Sequence, residues 1–291
     1  MNPQLLLPYG SAPAAALPRR WGEALADLSG DLTWRLAARA RRTTASNHAL
    51  VTGRAASEAQ VRGAFRTYAR YYLGLMRLAH RDPESALGPC RWEGVEALDR
   101  SLERGCGALV LSAHLGNWDL LGIALAQRYG NICVFVEKLR PRALYEFYAR
   151  VRGRHGVHVA PVGSPGRLPR EVLRRNGVLG LVVDRRFGSR AEFVPCGSGL
   201  LGMPTGAIRM AIRGGAAVHV GFALREHQGF RLRVGPDVAA GLPPDPQAAI
   251  RSVAGHFAVA LRDAVTRNPE QWCLLQPLDM PAPQHGARGA A

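Results

Sequence analysis

His114 lies in the stretch Gly107-Ala-Leu-Val-Leu-Ser-Ala-His-Leu-Gly-Asn-Trp-Asp119, which carries the clearest chemical signal in the chain. The apolar run ending at Ser112 reads as a strand, His114 and Gly116 as a turn, and Asn117 as the cap of the helix that follows. This order puts the imidazole at the carboxyl end of a buried strand, where open α/β sheets bind ligands. Asp119, five residues on, falls in the first helical turn and is expected to accept a hydrogen bond from the ring. A carboxylate there fixes the tautomer and stabilises the imidazolium that forms when the other nitrogen takes a proton. Such a pair is a general base with its orienter. Neither a GxSxG elbow nor a suitably placed cysteine accompanies it, and Ser112 reads as the end of the strand. Without a protein nucleophile, the base is expected to activate a hydroxyl that arrives with the substrate, for direct group transfer or hydrolysis.

Two further charged groups follow apolar runs. Glu137 ends Ile132–Val136, and Asp184-Arg185-Arg186 follows Val178–Val183, so all four emerge at a strand's carboxyl edge. Arg185 or Arg186 can hold a phosphate bidentately or stabilise an oxyanion; an ordinary ion-paired loop has the same pattern. Glu137 can equally be neutralised by Lys138 or Arg140.

The elements that position these residues are short β-branched runs alternating with amphipathic segments. Strands are predicted at Gly107–Ser112, Ile132–Val136, Val157–Val162, Val178–Val183 and Ala217–Leu224. Helices are predicted at Asn117–Arg128, Pro141–His155, Pro169–Arg175, Thr205–Arg213 and Pro246–Arg267. The alternation implies an α/β fold with a mostly parallel central sheet flanked by helices. An N-terminal amphipathic helical segment precedes it. Trp21, Leu25, Leu28, Leu32 and Leu36 recur at helical spacing with Arg35, Arg39, Arg41 and Arg42 at the end. A second helix, from Glu58 to Ala79, mixes aromatics with Arg62, Arg66, Arg70 and Arg77. Such helices lie at a lipid interface with arginine at headgroup level, or pack on the core. The expected organisation is a flexible terminus over residues 1–20, one α/β domain over 21–281 with residues 21–80 as its helical, membrane-associating part, and a disordered tail over 282–291.

With 291 residues, 47% of them hydrophobic, the chain can bury a large core, which excludes disordered and fibrous classes. Lys and Arg total 38 against 22 Asp and Glu, a formal charge of +16. The excess implies an anionic partner: nucleic acid, membrane surface or phosphorylated substrate. Lys138 is the only lysine, and an Arg, Ala and Gly excess also follows from a GC-rich genome. Five scattered cysteines without a CxxC argue against a disulfide framework and against a zinc site, and fit a reducing compartment. The N-terminus makes a poor signal peptide, and no run reaches the roughly 18–20 apolar residues of a spanning helix. The helix-turn-helix, zinc-finger and RNP-like blocks of a nucleic-acid binder are missing.

The His-Leu-Gly-Asn-Trp-Asp block resembles the H-x4-D signature of glycerolipid and lipid A acyltransferases. The longer stretch is most similar to bacterial phosphatidylinositol mannoside acyltransferases. The likeness extends through Tyr68-Ala-Arg-Tyr-Tyr72, Glu137-Lys-Leu-Arg-Pro141, Asp184-Arg185, Met203-Pro-Thr-Gly206 and Gln271-Trp-Cys-Leu-Leu-Gln-Pro277, about Phe65 to Leu278.

That resemblance implies an O-acyltransferase with His114 as the base, Asp119 as its orienter and no covalent acyl-enzyme. It implies acyl-CoA or acyl-carrier protein as donor and a membrane glycolipid as acceptor. No cofactor or metal is implied. Glu137 would help hold a sugar acceptor, with Asp184, Arg185, Arg186 and Asn117 as further substrate-binding candidates. Anionic lipids would be partners, nucleic acid would not, and the protein would sit peripherally on the cytoplasmic face of the inner membrane. The chain departs from the family at Pro195-Cys-Gly-Ser-Gly199, where members often carry an aromatic-Gly-acidic block; Glu192 lies just upstream. Trp272 and Gln276 read as core. The acyl chain is expected in a groove lined by Trp21, Leu25, Tyr72, Leu75 and Met76, or near Gly197–Gly206. Two other functions compete: a thioesterase or lipid hydrolase on the same fold, with water replacing the acceptor, and an arginine-rich nucleic-acid-binding protein.

Overall fold

The computed structural model describes residues 7–163, 166–186 and 191–278. Four helices come first: α1 (Leu7–Ala16), α2 (Arg19–Leu36), α3 (Ala38–Thr52) and α4 (Glu58–Leu78). There follow α5 (Pro83–Leu87), β1 (Cys90–Glu93), α6 (Glu96–Glu103), β2 (Ala108–Ser112), α7 (Trp118–Tyr129), β3 (Ile132–Val136), α8 (Arg142–Arg154), β4 (Val157–Pro161), α9 (Arg167–Arg174) and β5 (Val178–Val182). The chain continues through β6 (Ala191–Cys196), β7 (Gly199–Pro204), α10 (Gly206–Arg213), β8 (Ala217–Glu226), β9 (Gly229–Val234) and α11 (Pro246–Arg267).

Seven strands form one sheet in the order β1-β9-β8-β2-β5-β3-β4, parallel throughout except for the β8–β9 hairpin. This is the expected α/β architecture, with helices on both faces. Alternation along β2 shows why: Leu109, Leu111, Ala113 and Leu115 join the core under α10 and α11, while Ala108 and Val110 join the core under α7 and α8. The order also brings β5 between β2 and β3, so the carboxyl ends of three strands open side by side.

Several elements differ from the sequence reading. Residues 7–16 form a helix where a flexible terminus was expected, because α1 is tied to the segment just past α4: Ser11 Oγ and His80 Nε2 are 3.0 Å apart. β1, β9 and the β6–β7 hairpin were not anticipated. The tail at 282–291 and residues 1–6 lie outside the described residues.

The N-terminal segment resolves into helices with different duties. Arg62 and Arg66 of α4 both pair with Asp31 of α2, and Arg70 pairs with Asp27. Hydrogen bonds from the two guanidinium groups hold the Asp31 carboxyl far below its usual range despite partial burial. These arginines therefore join α4 to α2 rather than facing headgroups. The apolar stripe of α2, by contrast, is uncovered: Trp21, Leu25, Leu28, Leu32 and Leu36 are 53% to 76% exposed.

Candidate active site

His114 leaves the end of β2, and its ring is held by Asp184. Ser112 pairs with Val182 in the parallel β2–β5 register, so two residues further on His114 stands opposite Asp184. His114 Nδ1–H donates to Asp184 Oδ1 at 2.7 Å, and the His114 backbone N–H donates to Oδ2 at 2.9 Å. Trp272 Nε1–H completes the cage with a 2.8 Å bond to Oδ2. Asp184 is fully buried. Burial alone would raise its pKa, but the charge of His114 and these three hydrogen bonds outweigh it and hold the carboxyl below its usual value. The carboxylate fixes the proton on Nδ1, so Nε2 keeps its lone pair.

The turn that delivers the imidazole is pinned by backbone. Gly116 adopts φ 66°, and a Cβ there would lie 2.0 Å from the Ala223 carbonyl oxygen, so no other residue fits. Gly116 N–H donates to Gln271 O, Asn117 N–H to Ala223 O and Cys273 N–H to His114 O.

Asp119 does not bond the imidazole. As the second residue of α7 it points toward α4 and α8, where Tyr71 OH donates at 2.5 Å and Arg152 Nε–H at 2.6 Å. Burial and the Asp119 charge push the Tyr71 phenol well above its ordinary pKa. The Asp119 and Tyr71 charges outweigh burial to push the Arg152 pKa up, so that guanidinium stays charged. Tyr71 stacks on Trp118 with centroids 4.0 Å apart, and Trp118 meets the His114 ring edge-on at 5.0 Å. Asp119 thus supports the base through two aromatic rings, and the orienting hydrogen bond expected of it belongs to Asp184. The reason is register: sequence spacing shows the first helical turn, whereas the neighbouring strand supplies the nearer carboxylate.

A cavity of about 300 Å³ opens beside His114. Its floor is the sheet face carrying Val110, Ser112, Gly180, Val182, Val134 and Val136; its roof is Leu121, Gly122 and Leu125 of α7 with Tyr145, Tyr148 and Arg152 of α8. Tyr68, Tyr71 and Tyr72 of α4 form a side wall. Glu137 and Arg185 line the cavity and pair with each other, and Arg185 Nη1–H donates to Gln276 Oε1 at 2.7 Å. The carboxylate at Glu137 is thus met by Arg185, not by Lys138 or Arg140.

The other expected site residues lie elsewhere. Asn117 is buried, accepts from Leu120 N–H as the α7 cap and is not among the lining residues, so it serves the helix rather than substrate. Asp184 sits behind the histidine, and Arg186 is exposed and outside the cavity lining. Glu192 is taken by Gln247 and Arg251 of α11, away from the cavity. Of the two expected grooves, only Tyr72 contributes to this cavity; Trp21 and Leu25 are on the surface, Leu75 is in the core, and the glycine-rich run forms the turn and strand of the β6–β7 hairpin.

Sequence reasoning missed Trp272, Gln276, Tyr71 and Arg152. The Gln271–Pro277 block was the one visible signal for the first two, and it was read as packing. Cys273 also lines the cavity, but burial pushes its thiol pKa up and Asp184 pushes it the same way, so it stays protonated and a poor nucleophile. Among the described residues no group of three or more His, Cys, Asp or Glu could hold a metal ion.

Residues 10–278 match the family described as bacterial lipid A biosynthesis acyltransferase. The chain belongs to that family. It is 31% identical over 223 residues to the phosphatidylinositol mannoside acyltransferase of Mycobacterium tuberculosis H37Rv, covering 72% of this chain and 67% of the relative. It is likewise 31% identical over 231 residues to the protein of the same name from Mycolicibacterium smegmatis, covering 75% and 71%. The chain is therefore an acyltransferase, and the cavity beside His114 is its candidate active site. None of its described helices is long and apolar enough to cross a membrane.

Proposed function

We propose that this acyltransferase moves a fatty acyl group from a thioester donor, acyl-CoA or acyl-carrier protein, to a hydroxyl of a membrane glycolipid of the phosphatidylinositol mannoside or lipid A type. The observation that carries this reading is one cavity lined both by the base His114 and by aliphatic side chains of the sheet and α7. It runs from His114 along β2 as far as Val110, four residues and roughly 13 Å at strand spacing. Its floor and part of its roof are aliphatic, with Val110, Val134, Val182, Leu121 and Leu125, and tyrosines line the sides, which suits an acyl chain; the carboxylate of Glu137 suits sugar hydroxyls.

His114 Nε2 accepts the proton of the acceptor hydroxyl as its oxygen attacks the thioester carbonyl, and Asp184 stabilises the imidazolium. The tetrahedral intermediate then expels the thiolate, which recovers the proton from His114. No acyl-enzyme forms.

The exposed stripe of α2 is assigned to the membrane surface. Its apolar face buries in the headgroup–acyl boundary while Arg20, Arg35, Arg39 and Arg42 meet anionic lipid, each basic residue contributing about 1 kcal/mol. On this reading the protein sits peripherally on the cytoplasmic face of the inner membrane.

The test is to incubate the purified protein with radiolabelled palmitoyl-CoA and a panel of membrane lipids and identify which lipid gains label. A labelled glycolipid supports the reading. Release of free fatty acid at an undiminished rate with every acceptor present means a thioesterase instead.

A further inference from the structure

We infer that Ser112 is a catalytic residue: its hydroxyl donates the hydrogen bond that receives the acyl carbonyl oxygen as it becomes an oxyanion. The inference rests on the acyl-transfer reading above.

Ser112 is 5% exposed, it lines the cavity beside His114, and its Oγ has no hydrogen-bond partner among the described residues. The other floor positions, on this strand and on β5 and β3, are Val110, Gly180, Val182, Val134 and Val136. A hydroxyl set in an aliphatic wall with no partner is a cost to the fold unless a bound molecule satisfies it.

Ser112 ends β2 and His114 lies two residues beyond it; both line the cavity, with their Cα atoms at most roughly 7 Å apart. A tetrahedral centre fits between them. Its attacking oxygen reaches His114 Nε2 through one hydrogen bond of about 2.8 Å while its carbonyl oxygen reaches Ser112 Oγ through another.

Four backbone N–H groups around His114 are already engaged. The backbone N–H of His114 is spent on Asp184, that of Gly116 on Gln271 O, that of Asn117 on Ala223 O and that of Cys273 on His114 O. Arg185 is held by Glu137 and Gln276. Among the described residues, Ser112 Oγ is a buried hydroxyl on this wall with no partner.

In the step, the acceptor oxygen forms a bond to the carbonyl carbon, its proton passes to His114 Nε2, and the carbonyl π electrons move to the oxygen that Ser112 bonds. Collapse re-forms the carbonyl and breaks the carbon–sulfur bond. The thiolate takes the proton from the imidazolium and leaves as a thiol.

The experiment compares parent, Ser112→Ala and His114→Ala with palmitoyl-CoA as donor and vesicles containing phosphatidylinositol mannoside as acceptor, reading thiol release, Tm and the intact mass of quenched protein. A donor used chiefly in the transition state predicts that Ser112→Ala lowers kcat roughly 100-fold with little change in KM for palmitoyl-CoA. Its Tm should stay level or rise, since an unsatisfied hydroxyl has been removed. Turnover of Ser112→Ala within threefold of the parent overturns the inference, as does a loss of rate matched by a fall in Tm. A palmitoyl mass adduct on the parent that Ser112→Ala lacks also overturns it, by making Ser112 a nucleophile. If the parent works and His114→Ala is dead while Ser112→Ala is normal, only the role of Ser112 fails. If His114→Ala matches the parent, the acyl-transfer reading fails and takes this inference with it.

Discussion

His114 and Asp184 face each other across the β2–β5 pair, two residues beyond the Ser112–Val182 register, with Nδ1 2.7 Å from Oδ1. The carboxylate of the H-x4-D block, Asp119, is bound instead to Tyr71 and Arg152. The two acids should therefore fail differently when neutralised. Asp184→Asn deprives the imidazole of the acceptor that fixes its tautomer, so kcat should fall on the order of 10³–10⁴-fold. Asp119→Asn leaves Arg152 charged and buried without its partner, so stability should drop on the order of 3 kcal/mol. Steady-state kinetics beside denaturant unfolding of both variants checks this. Equal kinetic losses with unchanged stability would mean that Asp119 acts on the ring directly.

How much of this was legible in the sequence follows from the range of each signal. The five β-branched runs that read as strands are strands, and Pro246–Arg267 is the helix expected, because local pattern and burial agree there. The Asp184 contact was hidden because it depends on which strand lies beside β2, and β5 arrives only after β3 and β4. The β6–β7 hairpin was hidden because Pro195, Gly197 and Gly199 interrupt the apolar pattern, although Gly197 supplies the left-handed turn that closes it. Likewise β1 is four residues long and carries Arg91 and Glu93, which pair outward with Glu226 and with Arg231 and Arg233 rather than showing an apolar run.

Chain length should be set by a glycine. A Cβ on Gly180 would come 3.0 Å from Val134 Cγ1, in the middle of the cavity floor. Gly180→Val should fill that space and lower kcat/KM for palmitoyl-CoA about tenfold or more while sparing octanoyl-CoA, since a shorter chain stops before the obstruction. An unchanged ratio between the two donors would place the acyl chain elsewhere.

Membrane attachment should depend on α2. Leu28→Glu together with Leu32→Glu puts two charges in the centre of the exposed stripe, on side chains already facing solvent. Flotation with vesicles containing anionic lipid should show the parent bound and the double variant free, with circular dichroism unchanged. Equal flotation of the two would assign docking to another surface.

Stability should fall on mild acidification before the carboxylates titrate. Burial holds the pKa values of His48 and His219 below 6.5, against the opposing pull of backbone carbonyls on each. Their contribution is fully present above 6.5, and it is lost as pH falls below that value because the unfolded chain binds protons that the folded chain refuses. Tm measured between pH 8 and 5 should decline from about 6.5 downward. The slope should be shallower in His219→Gln by one proton's share. A variant with the parent's slope would mean that His219 charges within the fold.

The most direct test of the base is single-turnover transfer from palmitoyl-CoA by His114→Ala and the parent, each verified as folded by its near-ultraviolet spectrum. The expected result is acylated lipid with the parent and none above background with His114→Ala. Transfer by His114→Ala at the parent rate would contradict His114 as the group that takes the acceptor's proton.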